Sequence, residues 1–127
     1  MNKQLNDLLE IAKKASNNAY APYSLFKIGA ALLTESGEIF TGCNIENASF
    51  SLTICAERVA IFKAISNNNL KFSALAIYVQ SDKAFPPCGA CRQVINEFSK
   101  DLNIIYGNNK QTIITNINKL LPDSFSL

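Results

Sequence analysis

The sequence predicts a three-layer α/β/α sandwich on a mixed five-stranded sheet, within the α/β class. Two observations predict it. Stretches of helical spacing alternate with short apolar runs in the order α-β-β-α-β-α-β-β, followed by a short helical turn. The run "FSALAIYVQ" at 72–80 is apolar almost throughout, as expected of a central strand covered on both faces. A chain of 127 residues suits a single domain, 1–127, with one real core.

Each element has its own signal. Leu5, Leu8, Leu9, Ala12 and Ala15 recur at helical spacing over 3–16, with charged residues between them. "NNAYAPYS" ends that pattern, and Pro22 marks a loop. "KIGAALLT" (27–34) and "EIFTGCN" (38–44) flank "ESG", a hairpin signal with Gly37 in the turn. "NIENASFSL" is polar and irregular. Thr53 is the expected cap of a helix over 55–65, with Val59, Ala60, Phe62 and Ala64 as its apolar face. A further helix is expected over 89–98, then short strands at "NIIYG" and "TIIT" and a turn in "NKLLPDSFSL".

Composition excludes several classes of function. Twelve basic and ten acidic side chains leave a net charge of +2, too small a bias to imply a nucleic-acid or membrane partner. No apolar run approaches the length of a membrane span, and "MNKQLNDLLE" lacks a signal-peptide core, so the expected location is cytoplasmic. The chain has no histidine, which rules out His-based triads, Cys–His nucleophile pairs and zinc sites that need imidazole. Proton transfer must fall to a carboxylate, thiol, lysine or tyrosine.

Cysteines stand at 43, 55, 88 and 91. Without an export signal, metal or redox chemistry is a better use for them than disulfides. Cys88 and Cys91 form C-x-x-C at an expected helix start, where the positive end of the helix favours thiolates. A thioredoxin-like pair that exchanges with a disulfide is the competing reading of "PCGAC". Cys55, at a second expected helix start, favours the metal: three sulfurs with an open position form a catalytic zinc arrangement. Cys43, in a strand, is read as a buried small hydrophobe.

Glu57, two residues after Cys55, is placed to take a proton from water activated at such a centre and return it to substrate nitrogens. Three thiolates on Zn²⁺ leave a net negative charge. Arg58 and Arg92 are expected to offset it by donating hydrogen bonds to the sulfurs.

"CAE" at 55–57 with "PCGAC" at 87–91 is similar to the signature of zinc-dependent nucleoside and nucleobase deaminases. "YAPYSLFKIGAALLT" (20–34), "GCNIENASFSLTICAERVAIFKA" (42–64), "PCGACRQVINEF" (87–98) and "LLPDSF" (120–125) resemble the short-chain, homotetrameric type of cytidine deaminase, in order and over nearly the whole chain. The resemblance implies a cytidine deaminase-like fold and one Zn²⁺ per subunit held by Cys55, Cys88 and Cys91, with Glu57 as the catalytic proton shuttle. It also implies a substrate site: Asn44 and Glu46 for the ribose hydroxyls, Phe26 against the pyrimidine, the Ala56 backbone at the base, and Phe125 reaching a neighbouring subunit's site. The implied reaction is hydrolysis of cytidine and 2′-deoxycytidine to uridine and 2′-deoxyuridine with release of ammonia, in pyrimidine salvage. The implied assembly is a homotetramer whose sites neighbouring subunits complete, with no nucleic acid or membrane as partner.

Two features depart from the family pattern. Position 50 is Phe where many relatives have Tyr, and the sequence continues only to Leu127 after Phe125. Beside the nucleoside reading stand a deaminase of another aminopyrimidine such as blasticidin S, a nucleic-acid base deaminase, a thiol oxidoreductase and a structural zinc module. "NIEN" favours a plain nucleoside.

Overall fold

The computed structural model describes residues 2–127. Its elements are α1 (Asn2–Ser16), β1 (Lys27–Thr34), β2 (Ile39–Cys43), a 3-10 turn (Phe50–Leu52), α2 (Ala56–Ser66), β3 (Phe72–Gln80), α3 (Gly89–Phe98), β4 (Asn103–Gly107), β5 (Thr112–Asn116) and α4 (Ile117–Leu120). The strands form one sheet in the order β2-β1-β3-β4-β5. β1 runs antiparallel to both β2 and β3, β3 is parallel to β4, and β4 is antiparallel to β5. The sheet is therefore mixed and five-stranded, as expected. Gly37, at φ +94°, supplies the left-handed residue of the β1–β2 turn.

The period-two geometry of strands sorts the core into two layers. Ala31, Leu33, Ala74, Ala76 and Ile105 face α1, packing on Leu5, Leu8, Leu9 and Ala12. Ala30, Leu32, Leu75, Ile77 and Ile104 face the other way, onto Ala60, Ile61 and Ala64 of α2 and Ile95 of α3. A sheet buried on both faces explains why β1 and β3 read as unbroken apolar runs.

Three expectations fail locally. The helix cap is Cys55 rather than Thr53, whose hydroxyl instead accepts a hydrogen bond from Asn47 N at 3.1 Å. Phe62 is 46% exposed, and Ile61 takes the buried position beside Ala60 and Ala64. Cys43 is half-buried, because β2 is an edge strand.

The topology positions the cysteine-bearing helices. β2 and β3 are both antiparallel to β1, so they run parallel to each other with β1 between them. β2 leads to α2 and β3 leads to α3, so both helices start at the same edge of the sheet. Gly42 sets how closely α2 sits on that edge. A Cβ there would overlap the Ala56 carbonyl oxygen and stand 2.6 Å from Ala60 N. Gly42→Ala must push α2 off the sheet, and overpacking of this kind costs about 1–3 kcal/mol. Denaturant unfolding measures the loss, and an unchanged midpoint would refute this account of the α2 seat.

Candidate functional site

Cys55 caps α2 and Cys88 caps α3, both in extended backbone and neither making a side-chain capping bond. Both sulfurs therefore lie at the positive ends of helices with free N–H groups. Cys91, fully buried, lies in the first turn of α3. Two helix starts far apart in sequence thus bring three sulfurs together, all within 4.8 Å of one another, with Cys55 and Cys88 3.8 Å apart.

The protonation of these thiols shows what the donor set lacks. Cys55 is pulled down to about 5, first by the neighbouring Cys91 thiol, with further help from the Arg58 guanidinium. Cys91 is pushed up first by the neighbouring Cys55 sulfur, then by burial and by the Glu57 carboxylate. One thiolate is stable here and the next is opposed. A dication removes that opposition, so three clustered thiols, with the Arg58 guanidinium beside Cys55, fit a zinc ion.

Arg58 Nη2 donates to Cys55 Sγ at 3.2 Å, and the thiolate in turn raises the Arg58 pKa. Arg92, expected to share that task, does something else. Its Nε donates to the Pro87 carbonyl at 2.7 Å and its Nη1 to the Leu120 carbonyl at 2.8 Å. The two arginines differ because Arg58 follows the cap of its helix by three residues, within reach of the Cys55 sulfur, whereas Arg92 is directed to the backbone on either side of α3.

Glu57 is 4% exposed. Burial pushes its carboxyl up to about 7, and the Cys55 thiolate adds to the rise. It lines a cavity of about 300 Å³ together with Cys55 and Cys88. Further wall comes from Ser24, Phe26, Asn44, Glu46, Thr53 and Phe85, and no lysine or arginine among the described residues lines it.

Asn44 and Glu46 reach the cavity because the segment 44–46 is held extended. Tyr20 N donates to Asn44 O, Glu46 N donates to Tyr20 O, and Ile45 exchanges backbone bonds with Ile54. Side chains alternate, so Asn44 and Glu46 turn inward while Ile45 faces out. Both inward residues also brace the loop before β1. Asn44 Oδ1 accepts from Ile28 N at 2.9 Å, and its Nδ2 donates to Phe26 O at 2.7 Å. Glu46 Oε1 accepts from Tyr23 N and Ser24 N at 3.0 and 3.1 Å, and Oε2 accepts from the Ser24 hydroxyl. The Ser24 bond is the leading reason the Glu46 carboxyl sits below its usual range. After these bonds one Asn44 N–H, one lone pair of Asn44 Oδ1 and one lone pair of Glu46 Oε2 remain for a ligand.

Phe26 lines the cavity and meets Phe85 edge to face, with centroids 5.6 Å apart and planes at 82°. Sequence reasoning missed Phe85 and Ser24. Phe85's only signal was an aromatic residue just before "PPC". Ala56 is fully buried between two residues that line the cavity. Phe125 does not line the cavity of its own chain and is 67% exposed.

Residues 2–108 match the model of the cytidine and deoxycytidylate deaminase zinc-binding region. The chain belongs to this deaminase family. It is 50% identical over 121 residues to a cytidine deaminase of Sporosarcina psychrophila, covering 94% of this chain and 89% of that protein. It is 44% identical to one of Halalkalibacterium halodurans, covering 99% and 96%. The fold superposes on the crystal structure of the cytidine deaminase from Burkholderia pseudomallei with a TM-score of 0.90 at 45% identity, covering 94% and 98% of the two chains. The matched zinc-binding region of the family contains all three clustered cysteines of this member.

Proposed function

We propose that this family member, acting as one domain over 1–127, hydrolyses cytidine and 2′-deoxycytidine to uridine and 2′-deoxyuridine with release of ammonia. The observation that carries the reading is the buried Glu57 carboxyl, coupled to the three-sulfur cluster at the wall of a nucleoside-sized cavity. Cys55, Cys88 and Cys91 would hold the zinc. When bound, it supplies Lewis-acid activation of water.

The chain's own residues do the rest. Glu57 accepts a proton from the water that attacks C4 and delivers one to N3. It then moves the remaining hydroxyl proton to the departing amino group, so that C4=O forms as ammonia leaves. A carboxyl raised towards neutrality is suited to both directions of transfer. Arg58 offsets the charge of the thiolates through its bond to Cys55. Phe26 and Phe85 give the pyrimidine an apolar flank, and the Ala56 backbone is the expected contact at the base. Asn44 and Glu46 hold the sugar hydroxyls with their unused bonding capacity.

The family model spans nucleoside and nucleotide deaminases. Among the described residues, the part of the wall that this chain supplies has carboxylates and no lysine or arginine; it offers a phosphate nothing to pair with, and so favours the nucleoside. An ultraviolet assay on cytidine, deoxycytidine and their 5′-monophosphates tests this. Turnover of both nucleosides and neither monophosphate is expected, and inert nucleosides would overturn the substrate assignment.

The assembly we propose is a homotetramer with Phe125 contributed to a neighbour's site. Exposed Tyr20, Tyr23, Leu25, Ile45, Phe50 and Leu52 form apolar surface on the segments around the cavity, as a subunit contact requires. Phe50 packs edge to face on Tyr23, with ring centroids 5.7 Å apart. A sedimenting species of one 13.9 kDa chain would refute the assembly. A cytoplasmic setting in pyrimidine salvage suits clustered free thiols, which an oxidising compartment would pair.

A further inference from the structure

Beyond Leu121 the C-terminal segment is exposed at every residue. It buries no apolar side chain of its own, yet it leaves α4 on a defined path, with Asp123 in the left-handed region at φ 57°. Two side chains of α3 hold the end of α4 and the tail that leaves it. Arg92 Nη1 donates to the Leu120 carbonyl at 2.8 Å, and Ser124 Oγ donates to Asn96 Oδ1 at 3.2 Å. Arg92 and Asn96 are one helical turn apart, so both lie on the face that α4 and the tail cross. Asn96 is 3% exposed, and its Nδ2 has no partner among the described residues. An amide kept buried with an unused donor is poor packing material, and its one bond is to the tail. Arg92 also donates from Nε to the Pro87 carbonyl, directly before Cys88.

We propose that Arg92 and Asn96 are positioning residues. They clamp the C-terminal segment to α3, and thereby set the place of Phe125 and tie the tail to the loop that delivers Cys88. One planar guanidinium spans two carbonyls on separate segments, which a lysine ammonium does not reproduce. The consequence for Phe125 rests on the proposed role of that residue at a neighbouring site. The clamp itself rests only on the hydrogen bonds above.

Hydrogen exchange of the C-terminal peptide tests the clamp directly in the full chain. Losing one hydrogen bond raises the opening of a surface segment about fivefold, so amides of 121–127 should exchange about that much faster in Ser124→Ala and in Asn96→Ala. Ser124→Thr, which keeps the hydroxyl, should match wild type. Arg92→Lys should loosen the segment from 118 onward. Wild-type exchange in both Ser124→Ala and Asn96→Ala overturns the clamp.

Kinetics test the link to Phe125. Ser124→Ala should raise KM for cytidine about fivefold with kcat nearly unchanged, and should add nothing in a Phe125→Ala background. A full additional effect in that background overturns the route through Phe125. If Phe125→Ala alone leaves KM unchanged, the proposed role of Phe125 falls and exchange alone decides the clamp.

Discussion

Glu57→Gln is expected to lower kcat for cytidine by about 10²–10⁴-fold, the usual range for losing a positioned acid or base. Glutamine keeps the shape and burial of the side chain but neither accepts nor returns a proton at neutral pH. Glu57 is not one of the three clustered sulfur ligands, so metal content should stay at one zinc per chain. Removing a carboxyl whose ionisation burial opposes should also leave the melting temperature at or above that of wild type. The measurement pairs turnover with metal analysis and thermal unfolding of the same preparation. Full-rate turnover in Glu57→Gln with zinc retained would remove Glu57 from the mechanism.

Cys91→Ser should abolish both metal binding and turnover. Cys91 is fully buried, and its sulfur lies within 4.8 Å of those of Cys55 and Cys88. A serine hydroxyl in that position does not ionise to serve as a third anionic ligand. Wild type should carry one zinc and lose thermal stability when a chelator removes it, because a ligand that binds only the native state stabilises that state. Cys91→Ser should be insensitive to chelator. A variant that keeps stoichiometric zinc and measurable turnover would show that Cys91 is not a ligand. Metal-free wild-type protein that reduces disulfides would revive the thiol-exchange reading.

The sequence made the frame legible because burial pattern and element length agreed. β1, β3 and α3 have the expected bounds, since a strand covered on both faces leaves an unbroken apolar run and the helix start is marked by "PCGAC". Local choices were less legible. Thr53 has the chemistry of a cap, but Asn47 claims its hydroxyl, and the chain turns into the helix only at Cys55. "FSL" at 50–52 carries no periodicity that would mark a three-residue turn. Within the site, motif spacing pointed to the sulfur cluster and to Glu57. It did not reveal that Asn44 and Glu46 spend most of their bonding capacity on the loop bearing Phe26, because those partners are backbone groups. Arg92 was misjudged for a related reason. Adjacency to Cys91 in sequence says nothing of direction, and the guanidinium points to carbonyls on two other segments.

The wall free of lysine and arginine also bears on how substrate arrives. A cavity that presents no attractive field to anions gathers no anionic solute from a distance, and a neutral nucleoside would feel little pull in any case. Encounter then depends on diffusion and on the width of the mouth. The association rate should therefore be nearly flat from low to high ionic strength, unlike that of an enzyme that draws its substrate by charge. Capture falls to contacts made after entry, where the spare Asn44 N–H, the open lone pair on Glu46 and the Phe26–Phe85 edge act on a molecule already inside.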